Sequence, residues 1–270
     1  MKIKIPEIVA LDTETTGLNP EKDRIIEIAL LKFKNFQIEK KFVQLINPET
    51  GEFYSISGIK SEDVKDSPKF KDIVGEIYNF MKDEIILCHN ANFDIQFLKK
   101  EFERSNFPFP EIRIIDTLLI AKKFFNFRSN SLGNLSKNFN IKRIAEHRAE
   151  DDARIAFEVF KSFCENIDDE YDIDFVQKII IFDINQIGNK IYFNREIYGK
   201  ILKAIERREK LTIIYVSNKN SEMKKEITKR KILPFGIIEE NSVKYLRAFC
   251  YLRDGERTFR FDRILDLTEL

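Results

Sequence analysis

The sequence has few of the residues that build cross-links, thiolate metal sites or membrane spans. Only three of its 270 residues are cysteine, at positions 88, 164 and 250, and none forms a C-x-x-C pair. That number and spacing exclude a disulfide framework, argue against a zinc site and suit a reducing compartment. No apolar run approaches the ~18 residues of a membrane span. The start, MKIKIPEIV, lacks the apolar core of a signal peptide. We therefore expect a cytoplasmic protein with no membrane partner.

The chain also has little net charge, and it lacks internal repeats and low-complexity tracts. The total is +1, but residues 195–270 contain 18 basic and 12 acidic side chains, a net of +6, while the remainder carries −5. A length of 270 residues suits two domains, and the charge asymmetry suggests a different partner for each. Because an acidic run begins at residue 165, we predict domains over 1–168 and 194–270 joined by a linker over 169–193.

The first part of the chain alternates strand and helix patterns. Short apolar or alternating runs predict strands over 7–12, 24–34, 38–46, 85–88 and near 112–115. Helical spacing and capping residues predict helices over 67–82, 92–105, 116–125, 131–138 and 149–166. The early strands follow one another and the later ones alternate with helices. This order predicts an α/β domain with a mixed sheet.

Two carboxylates follow the first predicted strand, in the segment IVALDTETTGL. Asp12 and Glu14 stand two positions apart directly after four apolar residues. Since side chains alternate along a strand, both carboxylates should face the same side. Two like charges about 4 Å apart repel by roughly 4 kcal/mol at an effective dielectric constant of about 20. A bound divalent cation would offset this repulsion.

Two further segments, HNANFDIQFL and HRAEDDARIAF, place an aspartate in the first turn of a predicted helix. These aspartates are Asp94 and Asp152. Ligand crevices of open α/β sheets form at strand ends, where such helices begin. Each aspartate taken singly could instead complement the helix dipole. The only histidines of the chain, His89 and His147, adjoin the same two segments, which favours a common site.

In order, D-x-E-T-T-G-L, H-N-A-x-F-D-x-x-F-L and H-x-x-x-x-D resemble the motifs of DEDD 3′→5′ exonucleases of the histidine branch (polymerase III epsilon/RNase T-like). The resemblance covers about residues 5–165. It implies an RNase H-like fold and release of nucleoside 5′-monophosphates from a 3′ end. It also implies two divalent cations, Mg²⁺ or Mn²⁺, and a histidine general base. The implied ligands and base are Asp12, Glu14, Asp94, Asp152 and His147.

The spacing H-x-x-x-x-D selects Asp152 rather than Asp151, which is left as a helix-dipole or solvent residue. The same resemblance implies substrate contacts. Leu18 and Phe93 would flank the terminal base, and Asn90 would position the strand near the metals. The substrate would be a single-stranded nucleic acid, with DNA favoured over RNA. With 25 phenylalanines in the chain, Phe93 could instead be a core residue, and only its motif position favours the contact with the base.

The backbone of the segment that follows Glu14 would meet the terminal sugar. The residues concerned are Thr15 and Gly17, and a glycine there would let the chain approach the substrate closely.

The C-terminal part predicts one helix over 194–210, followed by β-like runs separated by turns, as in a small antiparallel barrel. The segments ILPFGI, KYLRAFCY and RTFRFDRI resemble the WYL domain, an SH3-like, mainly β fold, although Lys244 stands where that family has tryptophan. The resemblance implies binding of nucleic acid or of a nucleotide ligand. The candidate contacts are Tyr245, Arg247, Arg260 and Arg263. A solvated strand face, or a structural or dimerisation role, stays open.

Three functions are compatible with these patterns. The first is a metal-dependent exonuclease with a second domain that grips nucleic acid. The second is a non-enzymatic regulator built on an exonuclease fold, and the third is a proofreading subunit of a polymerase. The complete carboxylate set together with His147 favours the first, because a binding platform needs no such set. A polymerase partner is possible but not indicated.

Overall fold

The fold is described from a computed structural model covering residues 7–55, 57–145, 147–166, 181–183, 195–217, 225–241 and 243–269. Contacts divide the chain into two compact units, one formed by residues 1–120 with 129–187 and the other by 121–128 with 188–270. The predicted linker lies outside the described residues except at 181–183. None of the described helices is long and apolar enough to cross a membrane.

The first unit is built on a six-stranded mixed sheet, which confirms the predicted fold class. Its strands are β1 (Ile8–Thr15), β2 (Ile25–Lys34), β3 (Gln37–Leu45), β4 (Ile85–Cys88), β5 (Arg113–Asp116) and β6 (Ile181–Asp183). They lie in the order β3-β2-β1-β4-β5-β6. The first three form an antiparallel meander, β4 and β5 run parallel to β1, and β6 is antiparallel to β5.

Helices connect and cover these strands. They are α1 (Ser61–Val64), α2 (Phe70–Met81), α3 (Ala91–Arg104), α4 (Thr117–Phe124), α5 (Leu132–Asn138) and α6 (Ala149–Asn166). The apolar faces of α2 and α3 join β1 and β2 in the main core cluster, whereas α6 packs along β1 and β2. There the rings of Phe33 and Phe157 stack with their centroids 3.6 Å apart.

Strand β1 is the centre of this unit and explains why the site forms where it does. Its residues 8–11 are fully buried between β2 and β4. Because β4 runs parallel to β1, the loop that leads from β4 into α3 lies at the same edge of the sheet as the end of β1. The first turn of α6 reaches this edge as well, as the contacts of Asp152 show below.

The second unit is a small β domain with one helix, as predicted. Helix α7 (Arg195–Arg207) precedes a five-stranded antiparallel sheet with the order β10-β9-β8-β7-β11. Ile197 and Ile201 of the helix pack into its core. Residues 121–128 group with this unit, where the backbone N–H of Lys225 donates to the carbonyl of Phe124 at 2.9 Å. The strands are β7 (Leu211–Ser217), β8 (Glu226–Glu240), β9 (Val243–Cys250), β10 (Gly255–Arg260) and β11 (Ile264–Glu269).

The segment RTFRFDRILDL, one of the β-like runs after the helix, forms two strands rather than one continuous strand. A 3₁₀ helix, Phe261–Arg263, separates β10 from β11. Phe261 is buried at this turn, so the chain leaves the β9 edge and returns to pair with β7. The interruption matters for the predicted ligand contacts, because it places Arg263 outside the strand that carries Arg260.

Candidate active site

Three carboxylates meet at the end of the central strand. Asp12 and Glu14 lie on β1, opposite Ala29 and Glu27 of β2, and Asp152 lies in the first turn of α6. One carboxylate oxygen from each of the three lies within 4.8 Å of the others. The structure thus brings together residues separated by about 140 positions, as the motif order implied.

The electrostatics of this cluster favour a cation. Burial raises the pKa of Asp12 well above its ordinary value, and the neighbouring carboxylates raise it further. Burial and the charge of Asp152 raise the pKa of Glu14 from 4.5 to about 7. The pKa of Asp152 is also raised by burial, although Arg143 and His147 partly oppose the shift. An all-oxygen donor set with excess negative charge fits Mg²⁺ or Mn²⁺.

Asp94 lies beside the cluster but is not one of the three grouped carboxylates. It is buried, and its Oδ1 accepts hydrogen bonds from the backbone N–H of Thr13 at 3.0 Å and from the Thr13 hydroxyl at 2.8 Å. Burial raises its pKa to about 7 despite these hydrogen bonds, and its charge contributes to the shift at Asp12. Its assignment as a fourth metal ligand stays a prediction.

The turn before α3 is held by a carboxylate that the motif analysis gave no role. Asp116, at the end of β5, accepts hydrogen bonds from the backbone N–H groups of Asn90 and Ala91, both at 3.1 Å, and from Leu118 at 2.8 Å. Asn90 is exposed and has a left-handed backbone, with φ of 70°. Asp116 therefore fixes the turn from which α3 and Asp94 project.

His147 lies two residues before α6, is exposed, and has a left-handed backbone with φ of 54°. Its charge lowers the pKa of Asp152, which places the two side chains within electrostatic reach. This arrangement suits a group that takes a proton beside the carboxylate cluster without being buried in it.

Asp151 corrects a prediction. It lies in the first turn of α6, as predicted for a helix-dipole residue, but it is not a solvent residue, because only 6% of its surface is exposed. Its Oδ2 accepts hydrogen bonds from the backbone N–H groups of Ile144 and Ala145, and its Oδ1 pairs with Arg154 at 2.6 Å. Asp151 therefore holds the loop that leads to His147.

Arg143 is a second residue that sequence reasoning missed. Its guanidinium pairs with the carboxylate of Asp152, and both side chains are largely buried. The pair brings a positive charge to the edge of the cluster and partly neutralises it. Nothing in the segment NIKRIA signals this role, because a basic residue in a loop is ordinarily solvated.

The loop after β1 is held by hydrogen bonds and presents an exposed apolar side chain. The Thr15 hydroxyl donates to the carbonyl of Gly17 at 2.6 Å. A Cβ at Gly17 would lie 2.4 Å from the carboxylate of Asp23, which accepts the N–H of Asn19. Leu18, with 71% of its surface exposed, stands at the tip. An exposed leucine on a hydrogen-bonded loop is suited to contact with a substrate.

Phe93 is partly a core residue and partly exposed, so its position is compatible with both of the roles considered from sequence. It is half-buried in the first turn of α3, packs against the main core cluster, and lies 4.9 Å from Phe97 between ring centroids. Part of the ring remains available at the surface. The contacts of Leu18, Phe93, Thr15, Gly17 and Asn90 with a substrate stay predictions.

In the second unit, three of the four predicted ligand residues share a face. Tyr245 and Arg260 are directly opposite across β9 and β10, and Arg247 lies two residues further along, opposite Thr258. The alternating residues Leu246 and Ala248 are buried, so the three side chains occupy the outer face. Arg263, in the 3₁₀ helix, does not share this strand face.

A cleft of about 320 Å³ lies on the outer side of this sheet. The guanidinium of Arg247 lies 5.3 Å from the ring centroid of Phe235, whose side chain is 42% exposed. The ion pair between Arg247 and Glu256 is long, at 3.5 Å. The cleft thus combines an exposed aromatic ring with a weakly paired cation. Its lining residues are Phe235, Arg247, Glu256, Arg257 and Thr258.

We expect the metal-free protein to lose stability as the pH rises from about 4.5 to about 7. The folded state binds protons more tightly than the unfolded state when a carboxyl pKa is raised from 4.5 to about 7, as for Glu14. Stability is therefore greatest below this window and falls through it. The shift corresponds to at most about 3 kcal/mol, because Glu14 is partly solvated.

Thermal unfolding in EDTA between pH 5 and 8, compared for the wild type and Glu14→Gln, measures this effect. The variant should show a shallower fall. Mn²⁺ added at pH 8 should raise the Tm of the wild type more than that of the variant. An identical fall of Tm with pH in the wild type and Glu14→Gln would contradict the electrostatic account of the cluster.

Comparison with known proteins identifies the families that the two parts of the chain resemble. Residues 9–160 match the exonuclease family model RNase_T, and residues 196–269 match the WYL domain. The DNA polymerase III subunit epsilon of Treponema pallidum is 36% identical over 157 residues, which are 56% of this chain and 73% of that protein. The PolC-type DNA polymerase III of Thermotoga maritima is 37% identical over 160 residues, but the chain spans only 12% of its length.

Solved structures add evidence on the fold alone. Exonuclease I of E. coli, in complex with a dT13 oligonucleotide, superposes with a TM-score of 0.54 at 13% sequence identity. The match covers 98% of this chain and 66% of that one.

Proposed function

Because the chain belongs to the RNase_T exonuclease family, we propose that it is a metal-dependent 3′→5′ exonuclease acting on single-stranded nucleic acid. DNA is favoured over RNA, and the products are nucleoside 5′-monophosphates. The observation that carries the proposal is the group of three desolvated carboxylates, Asp12, Glu14 and Asp152, whose oxygens lie within 4.8 Å of one another. A nucleic-acid-binding platform without catalysis would gain nothing from such mutual repulsion.

The residues of the chain take distinct parts in the reaction. Asp12, Glu14 and Asp152, together with Asp94, would hold two divalent cations. Bound Mg²⁺ or Mn²⁺ ions supply electrostatic stabilisation of the attacking and leaving oxygens. His147, exposed beside Asp152, takes the proton of the attacking water.

The loop after β1 orients the terminal nucleotide. Its backbone is fixed by the Thr15 hydroxyl and by the carboxylate of Asp23, so that Leu18 is held against the terminal base or sugar. Phe93, in the first turn of α3, offers the exposed part of its ring to the same nucleotide. These contacts would select a frayed or single-stranded 3′ end without recognising its base sequence.

A polymerase-associated proofreading role is a second candidate. It is favoured by the relatives named as DNA polymerase III epsilon and PolC. Against it, residues 196–269 of this chain match a WYL domain, which is a separate module with its own surface. Retention of the polymerase of the same cell by the full chain in a pull-down at physiological salt would favour the proofreading role.

Digestion of end-labelled strands tests the proposed activity. A 5′-labelled single strand should yield a ladder of products shortened from the 3′ end, and a 3′-labelled strand should release labelled mononucleotide at once. Single-stranded DNA, blunt duplex DNA and RNA of the same sequence are compared in Mg²⁺. Internal cuts without mononucleotide, or equal digestion of the blunt duplex and the single strand, would overturn the proposal.

We also propose that the second unit binds a nucleic-acid strand or a nucleotide ligand on the outer face of β8, β9 and β10. The support is the aromatic ring of Phe235 beside Arg247, with Tyr245 and Arg260 on the same face. Aromatic rings stack on bases, and arginine pairs with phosphates. Residues 195–270 also carry the net positive charge of the chain.

Arg247→Ala combined with Arg260→Ala should weaken binding of a long single strand and make its salt dependence shallower. Two lost phosphate contacts reduce the slope of log K against log [salt] by about 1.4, since each contributes roughly 0.7 for single strands. Turnover of a very short oligonucleotide should be unchanged. Arg253→Ala, which alters an exposed arginine of the β9–β10 turn, is the matched control. Equal salt slopes for the wild type, the double variant and Arg253→Ala would exclude this face as the site of strand binding.

A further inference from the structure

A buried carboxylate with no assigned role lies next to the candidate active site. Glu27 stands on β2 directly opposite Glu14, and only 1% of its surface is exposed. Its charge also raises the pKa of Glu14 and Asp12, so it adds repulsion to a cluster that is already anionic. A buried charge of this kind persists only when partners compensate for it.

The partners of Glu27 all belong to the start of α6. The Arg148 guanidinium donates from its Nε to both carboxylate oxygens at 3.1 Å, and from a terminal nitrogen to Oε1 at 2.6 Å. The backbone N–H of Ala149 donates to Oε2 at 3.0 Å. Both oxygens of Glu27 are therefore engaged, which leaves it poorly suited to be another metal ligand. Its carboxylate instead caps the helix from a neighbouring strand.

The contacts of Glu27 with Arg148 and Ala149 restrict the position of His147, the residue immediately before Arg148. His147 has a φ of 54°, in the left-handed region that is unfavourable for a residue other than glycine. Such a conformation persists when the surrounding structure over-determines it. Glu27 anchors the two residues after His147, and Asp151 anchors Ile144 and Ala145 before it. The histidine thus lies between two anchored segments.

We propose that Glu27 is a positioning residue, which acts through Arg148 and the N–H of Ala149 to hold His147 at the angle needed for proton transfer. The inference rests on the proposed function, because it requires His147 to be the base. It assigns to Glu27 no contact with substrate or metal. It also gives a reason for placing a carboxylate within the apolar run IIEIAL.

Glu27→Gln tests the inference with a minimal change of shape. The amide oxygen can still accept the N–H of Ala149, but the ion pair with Arg148 is lost. We expect kcat to fall by about 10- to 100-fold, because a small misplacement of a reacting group costs up to roughly 10²-fold. KM should change less than about threefold, since Glu27 does not touch substrate. Arg148→Lys, which keeps the charge but loses the bidentate geometry, should reproduce part of the fall.

The matched control is Glu150→Gln. Glu150 is in the same helical turn, but it is half-exposed and pairs with Lys41 rather than with Arg148. The same substitution there should leave kcat within about twofold of the wild type, because an exposed pair contributes little. A large effect at Glu150 would show that any charge lost from this turn is damaging, and it would overturn the specific role of Glu27.

A double-mutant cycle with His147→Ala then distinguishes positioning from other roles. If Glu27 acts only through His147, adding Glu27→Gln to His147→Ala should lower kcat by less than about threefold. Independent, multiplicative losses would overturn the inference. A wild-type rate for His147→Ala would overturn the assignment of the base and this inference with it. The two failures are therefore distinguishable.

A second readout does not depend on activity. In metal-free protein, amide hydrogen exchange over residues 147–152 should be faster in Glu27→Gln than in the wild type or Glu150→Gln. Exchange over the buried strand β1 should be unchanged. If Glu27→Gln does not fold, Arg148→Lys is used for both the cycle and the exchange experiment. Exchange at the wild-type rate in Glu27→Gln would show that the start of α6 does not depend on Glu27.

Discussion

Asp12→Asn is expected to lower the rate of mononucleotide release by at least ~10³-fold, because metal-ion stabilisation of the transition state is worth several kcal/mol. The substitution keeps the shape of the side chain but removes a charge from the centre of the carboxylate cluster. The same change relieves repulsion in the metal-free site, where burial and four neighbouring carboxylates already raise the pKa of Asp12. The Tm in EDTA should therefore be unchanged or higher.

Steady-state hydrolysis in Mg²⁺ and thermal unfolding in EDTA, measured on the same preparations, test this prediction. Glu14→Gln and Asp152→Asn should behave in the same way, although Asp152→Asn also leaves Arg143 without its anionic partner. Asp66→Asn, at an exposed position of the first unit, is the control. Near wild-type turnover in all three site variants would show that the cluster is not the catalytic centre.

His147→Ala is expected to lower kcat by about 10²- to 10⁴-fold, the usual contribution of a general base. Affinity for Mn²⁺ should change much less, because His147 is not one of the oxygen ligands. Part of the lost rate should return at higher pH, where hydroxide replaces the missing base. Measurements of kcat between pH 6 and 9, together with a Mn²⁺ titration, test both expectations.

His89→Ala is the matched histidine control. His89 contacts the hydroxyl of Thr117, with 2.8 Å between its Nδ1 and Oγ1. Its loss should leave more than a tenth of the wild-type rate. If His147→Ala instead mainly weakened Mn²⁺ binding, the residue would belong to the coordination shell rather than to proton transfer.

The parts of the fold with strong local patterns could be predicted from sequence. The apolar run before Asp12 forms the central strand, and the helix predicted over 149–166 has those bounds in the structure. Two short elements were not predicted. Helix α1 has only four residues, too few to show a helical period, and β6 has three residues within the segment that was predicted to be a linker.

The candidate site also contains residues that the sequence predicted and residues that it did not. Alternation along β1 predicted that Asp12 and Glu14 face together, and motif spacing selected Asp152. The residues that support them depend on contacts between distant segments, such as that between Glu27 and Arg148, 121 positions apart. A glutamate inside an apolar run was a signal that could have been noticed. The burial of Asp151 left no such signal, because acids in a first helical turn are ordinarily solvated.

The most direct test of the central claim is the number of divalent cations that the cluster holds. Mn²⁺ binding is measured by calorimetry on the full chain at pH 8, with a non-hydrolysable single strand present, for the wild type and for Asp12→Asn. The account predicts two ions in the wild type and at most one in the variant. Two ions in Asp12→Asn, or none in the wild type at millimolar Mn²⁺, would contradict it.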